Sequence, residues 1–144
     1  MNKNGPIIII EDNIQEQLLI QDIFEEIDCN NPLIFFHDCE SAYDYILKTQ
    51  NFPFIILSDI NLPKLSGIEL KEKLHNHSLS RLKCIPYLYF TTACTNQVVI
   101  DAYSKSVQGF FIKPFGIKSL ENTLRKIISY WKDCFIPDSY AELV

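Results

Sequence analysis

Apolar residues along the chain fall into two kinds of stretch. Short unbroken runs recur at 6–10 (PIIII), 33–36 (LIFF), 54–58 (FIILS), 86–90 (PYLYF) and 109–112 (GFFI). The first does not alternate with polar residues, so it reads as a strand covered on both faces. Between the runs lie longer segments with apolar residues three or four apart, the period of a helix with one buried side. Residues 13–28 set Ile14, Leu18, Phe24 and Ile27 on one face, widened by Leu19 and Ile23, until Asn30, Asn31 and Pro32 end the helix. A helix over 41–48 turns Ala42, Tyr45 and Ile46 inward, and one starting at Gly67 runs through Leu70 and Leu74. A fourth, over 95–106, carries Val98, Val99, Ala102 and Tyr103, and a fifth, over 117–131, carries Leu120, Leu124, Ile127, Ile128 and Trp131. Five strands alternating with five helices predict an α/β domain with a parallel sheet covered on both faces.

Composition narrows this further. The 144 residues suffice for one domain with a real core, and the expected division is a domain over 1–133 and a short tail over 134–144 without an output domain. Phe135 and Tyr140 of the tail could dock on the body or on a partner. A net charge of −5 with no basic run argues against nucleic acid as a partner. No apolar run approaches the roughly 18 residues that span a bilayer. The amino-terminal segment lacks a small-residue cleavage site, so a cytoplasmic location is expected. Cysteines 29, 39, 84, 94 and 134 show no metal-ligand spacing and are expected to be free thiols used in packing. His37, His75 and His77 lack zinc spacing, and the last two read as solvated.

Candidate chemistry gathers where the strands end. In an open parallel sheet, sites form beyond the carboxyl ends of the strands. Glu11 and Asp12 follow the first strand, Asp59 the third, Thr91 and Thr92 close the fourth, and Lys113 and Pro114 follow the fifth. Three carboxylates in one pocket raise one another's pKa and oppose folding unless cations offset them. Lys113 supplies one cation, and a divalent metal held by oxygen ligands, of the Mg²⁺ type, would supply another. A carboxylate so compensated can act as a nucleophile toward a phosphoryl group. Taken singly, each residue has a plainer reading. Glu11 or Asp12 could cap the helix that follows, Asp59 could start a turn, Thr91 could be a strand former, and Lys113 could be a rim charge. Their shared place at one sheet edge is what favours chemistry.

These residues match a known pattern. The acidic pair in IIIIEDN, the run DINLPKLSG, FTTA and GFFIKPF resemble the receiver domain of bacterial two-component response regulators, over about residues 7–132. The resemblance implies a flavodoxin-like, CheY-like fold: a doubly wound, five-stranded parallel sheet of order 2-1-3-4-5 with five helices. It implies that Asp59 is the phosphoacceptor, and that Mg²⁺ is bound by Asp12, by Glu11 through water, by Asp59 and by the Asn61 carbonyl. Thr91 would be the switch hydroxyl. Neighbouring Thr92 leaves a one-residue ambiguity, and counting from Pro86 favours Thr91. Phe110 would be the aromatic switch, Lys113 the counter-charge to the phosphate, and Lys113–Pro114 a cis peptide. Ser66 stands where the family often has aspartate, at a capping position.

The partners so implied are a sensor histidine kinase or histidine phosphotransfer protein and a downstream target protein, with no membrane and no nucleic acid. The module would modify itself and would not be a turnover enzyme. Two alternatives remain: a pseudo-receiver scaffold that is never phosphorylated, and a phosphatase built on Asp59. Asn61 disfavours the second, because that chemistry calls for an acid there. The aromatic strand PYLYF, and Trp131 with Phe135, offer apolar surface for a homodimer.

Overall fold

The computed structural model describes residues 3–135, apart from Asn61, Pro63 and Ala93. Five strands, β1 (Ile7–Ile10), β2 (Leu33–Phe36), β3 (Ile55–Ser58), β4 (Tyr87–Thr91) and β5 (Gly109–Ile112), form one sheet. All neighbours are parallel and the order is β2-β1-β3-β4-β5, as the resemblance implied. The helices are α1 (Ile14–Glu26), α2 (Cys39–Lys48), α3 (Gly67–Asn76), α4 (Ser80–Lys83), α5 (Asn96–Ser104) and α6 (Ile117–Asp133). The expected set lacked α4, whose four residues are too few to show a period.

Side-chain caps fix where four helices begin. Asn13, Asp38, Ser66 and Thr95 accept from the backbone N–H of Glu16, Ser41, Glu69 and Val98. Each such cap contributes about 1 kcal/mol. Asp38 explains why α2 starts at Cys39, two residues before the expected position. Asn13, and neither Glu11 nor Asp12, caps α1.

The sheet has two covered faces. Ile8, Ile10, Ile56, Tyr87 and Tyr89 pack under residues of α2, α3, α4 and α5. Ile7, Ile9, Ile55, Leu57, Leu88 and Phe90 pack under α1 and α6. The buried stripe of α6 is Leu120, Leu124, Ile127 and Ile128, as its spacing predicts, with Trp131 partly buried beside it. On α1 the expected face is corrected. Ile20, Ile23, Phe24 and Ile27 face the sheet, whereas Ile14 and Leu18 are 61% and 57% exposed. The apolar residues of α1 spread wider than one contact stripe, and the sheet takes only the half nearer its carboxyl end. Tyr103 of α5 likewise faces out, leaving Ala102 as that helix's buried residue.

All five cysteines are free thiols, but only Cys39 is buried, while Cys84 and Cys94 are exposed. His75 is exposed, as expected. Phe135 is 60% exposed, and Tyr140 lies outside the described residues. No helix among the described residues is long and apolar enough to cross a membrane.

Candidate functional site

The ladder continues one residue past the strands. The Glu11 N–H donates to the Phe36 carbonyl at 3.0 Å, the Asp59 N–H to that of Ile10 at 3.0 Å, and the Lys113 N–H to that of Thr91 at 2.7 Å. Because the order of connection reverses between β1 and β3, Glu11 and Asp59 are neighbours although 48 residues apart in sequence (59 − 11). Thr91 closes β4 beside them.

The side chains converge around Lys113. Its Nζ donates to Glu11 Oε1 and, at 2.5 Å, to Glu16 Oε2, and it lies 3.6 Å from Asp59 Oδ2. The Thr91 hydroxyl donates to Asp59 Oδ1 at 2.9 Å. Glu11 is 3% exposed and Thr91 fully buried. Burial first, and the Glu16 carboxyl beside it second, push the Glu11 carboxyl up to about 8 against the pull of Lys113. The bond to Glu11 is the main cause that holds Glu16 below the usual carboxylate range. Burial pulls the Lys113 ammonium down, but its bonds to Glu11 and Glu16 outweigh that and leave it raised. One ammonium thus serves three carboxylates. A buried carboxyl driven to hold a proton near neutrality marks a cluster short of positive charge.

The residues singled out from sequence do not all share this cluster. Asp12, next to Glu11, is exposed. Among the described residues no three His, Cys, Asp or Glu side chains come close enough to hold a metal together. Of the three carboxylates expected to crowd one pocket, Glu11 and Asp59 meet around Lys113, and Asp12 is exposed. The remaining donors are all hard oxygens with surplus negative charge, which suits a hard divalent cation. Asn61, expected to offer its carbonyl, lies outside the described residues. Thr92 is exposed, and Thr91 holds the contact to Asp59. Phe110 is half-buried and packs edge-on against Tyr89, with ring centroids 5.8 Å apart. The cis peptide expected at Lys113–Pro114 is not present, since every described peptide bond is trans. The trans form is the intrinsically favoured one, by about 0.5–1 kcal/mol.

Two sets of contacts were missed. Glu16 sits three residues after the cap Asn13, the position of a capping-box acid, so a sequence signal existed for its place in the first turn. Its reach to Lys113 depends on how α1 approaches β5. The segment after Asp59 is also pinned. Glu40 Oε1 accepts from the Leu65 N–H at 3.0 Å, Ser66 caps α3, and the hydroxyls of Tyr87 and Tyr89 donate to the Gly67 carbonyl at 2.8 and 3.1 Å.

The chain has counterparts among known proteins. The family model of the response regulator receiver domain matches residues 7–125. A probable methanogenesis regulatory protein of Methanothrix harundinacea, FilR2, is 30% identical over 129 residues, covering 87% of this chain and 82% of its own. The response regulator Rcp1 of Synechocystis is 27% identical over 130 residues, covering 87% of each chain. The Mn²⁺-bound structure of Rcp1 superposes with a TM-score of 0.79 at 26% identity, over 92% of this chain and 99% of that one.

Proposed function

The chain belongs to the response regulator receiver domain family, and from that premise we propose that Asp59 accepts a phosphoryl group from a phosphohistidine of a sensor kinase or histidine phosphotransfer protein, with Mg²⁺, and thereby switches a surface that binds a target protein. Residues 1–133 act as the receiver unit in the cytoplasm, and the chain carries out its own modification without turnover. The observation that carries this reading is the meeting of Asp59, Thr91 and Lys113 at the carboxyl edge of the sheet, with Thr91 and Lys113 each on a different oxygen of Asp59.

In the transfer, the P–N bond of the phosphohistidine breaks, its electron pair stays with the imidazole, and a P–O bond forms to Asp59. Asp12 and Asp59, with the Asn61 carbonyl, are the groups that would hold Mg²⁺, and Glu11 would act through water. When bound, Mg²⁺ neutralises phosphoryl oxygens during transfer. The side chains do the rest. Asp59 is positioned by its ladder bond to Ile10 and by the Thr91 hydroxyl. Lys113, held at the pocket by Glu11 and Glu16, faces the charge of about −1.5 to −2 that the phosphoryl group adds. The Thr91 hydroxyl has one proton to give, and the phosphoryl oxygens attract it away from Asp59 Oδ1. Phe110, on the adjacent strand, then settles into a different packing, which biases the α5–β5–α6 surface between two populations.

Incubation with acetyl phosphate and Mg²⁺, read by intact mass, tests this. One added phosphoryl group, lost in Asp59→Asn, is the expected result. No uptake from acetyl phosphate or phosphoramidate would leave the unphosphorylated scaffold as the better reading.

A further inference from the structure

Two tyrosines of β4 bond the same atom. Tyr87 and Tyr89 are both fully buried, lie on one face of the strand, and meet edge-on with centroids 5.4 Å apart. Burial holds both phenols well above their ordinary range, so both hydroxyls stay donors. Each donates to the Gly67 carbonyl, at 2.8 Å from Tyr87 and 3.1 Å from Tyr89. Gly67 is the first residue of α3, where the helical pattern assigns its carbonyl to the Lys71 N–H. A carbonyl oxygen has two lone pairs. With one directed to the helix, two hydroxyls share the other, and either can let go without orphaning the carbonyl.

The two differ in their other neighbours. Tyr89 also packs against Phe110, with ring centroids 5.8 Å apart. Gly67 in turn lies against the end of β3. A Cβ placed on it would stand 2.5 Å from the Asp59 carbonyl oxygen, 2.8 Å from Ser58 Oγ and 3.2 Å from Tyr89 Cε1. The backbone that closes on Asp59 is therefore one contact from Tyr89, and Tyr89 is one contact from Phe110. Tyr87 makes the shorter bond to Gly67, and no ring contact between it and Phe110 is among those described.

We infer that Tyr89 is a positioning residue for the phosphoacceptor segment: its hydroxyl, sharing the Gly67 carbonyl with Tyr87, couples the packing of the Phe110 ring to the backbone that seats Asp59. When Phe110 shifts, the Tyr89 ring moves with it and its hydroxyl gives up the shared lone pair to Tyr87. The first turn of α3 then loosens by one bond, while Tyr87 keeps it attached. Read in the other direction, a change at Asp59 reaches Phe110 through Gly67 and Tyr89 as well as through Thr91. The effect on phosphoryl lifetime rests on the reading of Asp59 as phosphoacceptor, but the coupling itself does not.

The test is a double-mutant cycle on the full chain, with Tyr89→Phe, Phe110→Leu, their combination, and Tyr87→Phe as comparison. Hydrogen exchange of the amides over residues 65–71, in unphosphorylated protein, is the first readout. Phe110→Leu should speed exchange there by about twofold or more, the low end of coupling between contacting residues. In the Tyr89→Phe background that effect should vanish, while in the Tyr87→Phe background it should persist. Additive effects of Tyr89→Phe and Phe110→Leu would assign Tyr89 a structural role only and overturn the inference. The second readout is the lifetime of the phosphoryl group after loading with acetyl phosphate and Mg²⁺. Tyr89→Phe should change it by about twofold or more beyond any change in Tyr87→Phe. An unchanged lifetime would refute control of the site. Failure of every variant, wild type included, to take up phosphate would strike the phosphoacceptor reading instead, and the exchange cycle would still decide the coupling.

Discussion

Gly67→Ala sets two effects of opposite sign against each other. Gly67 opens α3 without a positive φ, so helix propensity alone favours alanine by up to about 1 kcal/mol. Sterics oppose it. The new Cβ would stand 2.5 Å from the Asp59 carbonyl oxygen, about 0.9 Å inside the 3.4 Å at which ordinary contact begins, and 2.8 Å from Ser58 Oγ. The first of these atoms is backbone tied through the Asp59 N–H to the Ile10 carbonyl, and Ser58 Oγ can turn away only by giving up its 2.8 Å bond to the Asp59 carbonyl. Overpacking of this kind costs about 1–3 kcal/mol, and a rigid backbone contact belongs at the upper end. The expected net loss is about 2 kcal/mol, read as a lower urea midpoint at unchanged slope. The clash also displaces the strand end that seats Asp59. A misplacement near 1 Å can cost on the order of 100-fold in rate, so phosphorylation by acetyl phosphate should fall at least about tenfold in protein that remains folded. A variant as stable as wild type, or more so, would refute the reasoning.

Other outcomes follow from the charges. Lys113→Ala takes from Glu11, 3% exposed, its buried hydrogen-bond donor, and should lower stability by about 1–3 kcal/mol in a metal-free buffer. Millimolar Mg²⁺ should recover part of that loss and stabilise the variant more than wild type; equal melting curves with Mg²⁺ and with EDTA would count against a cation site. Lys71, on α3, is 1% exposed; its amine lies 5.9 Å from the Tyr87 ring centroid, and burial depresses its pKa. A depressed ammonium means the unfolded chain binds more protons, so wild-type stability gains from this residue as pH rises from the folded value toward 10.5. Lys71→Met should therefore raise the melting temperature by about 3–5 °C at pH 7. That advantage should shrink in alkaline buffer, and a variant no more stable at pH 7 would argue that the amine is well solvated.

What could be read from the sequence was whatever depended on short-range pattern. The strands were legible because a parallel strand buried on both faces leaves an unbroken apolar run, as Ile7 to Ile10 shows. Asp59, Thr91 and Lys113 were legible because each ends or follows such a run, and a parallel sheet delivers its strand ends to one edge. The misreadings came from tertiary contacts. Ile14 and Leu18 fit a helical stripe, but only the sheet determines which stripe of α1 is covered. Glu11 and Asp12 are neighbours in sequence, and only the fold shows that Glu11 is buried on Lys113 while Asp12 is exposed. The tyrosines of PYLYF read as apolar bulk, and their hydroxyls acquired meaning only when Gly67 came within reach.

The bond from Thr91 to Asp59 bears on how quiet the resting protein can be. A hydroxyl that already serves the carboxylate is not idle at rest, so under the proposed switch phosphorylation would decide which of two rival acceptors wins a single proton. If those acceptors differ by about 1 kcal/mol, occupancy shifts only about fivefold. On that proposed switch the chain would hum at a low background and grow louder when loaded, and further contrast would have to come from its aromatic packing.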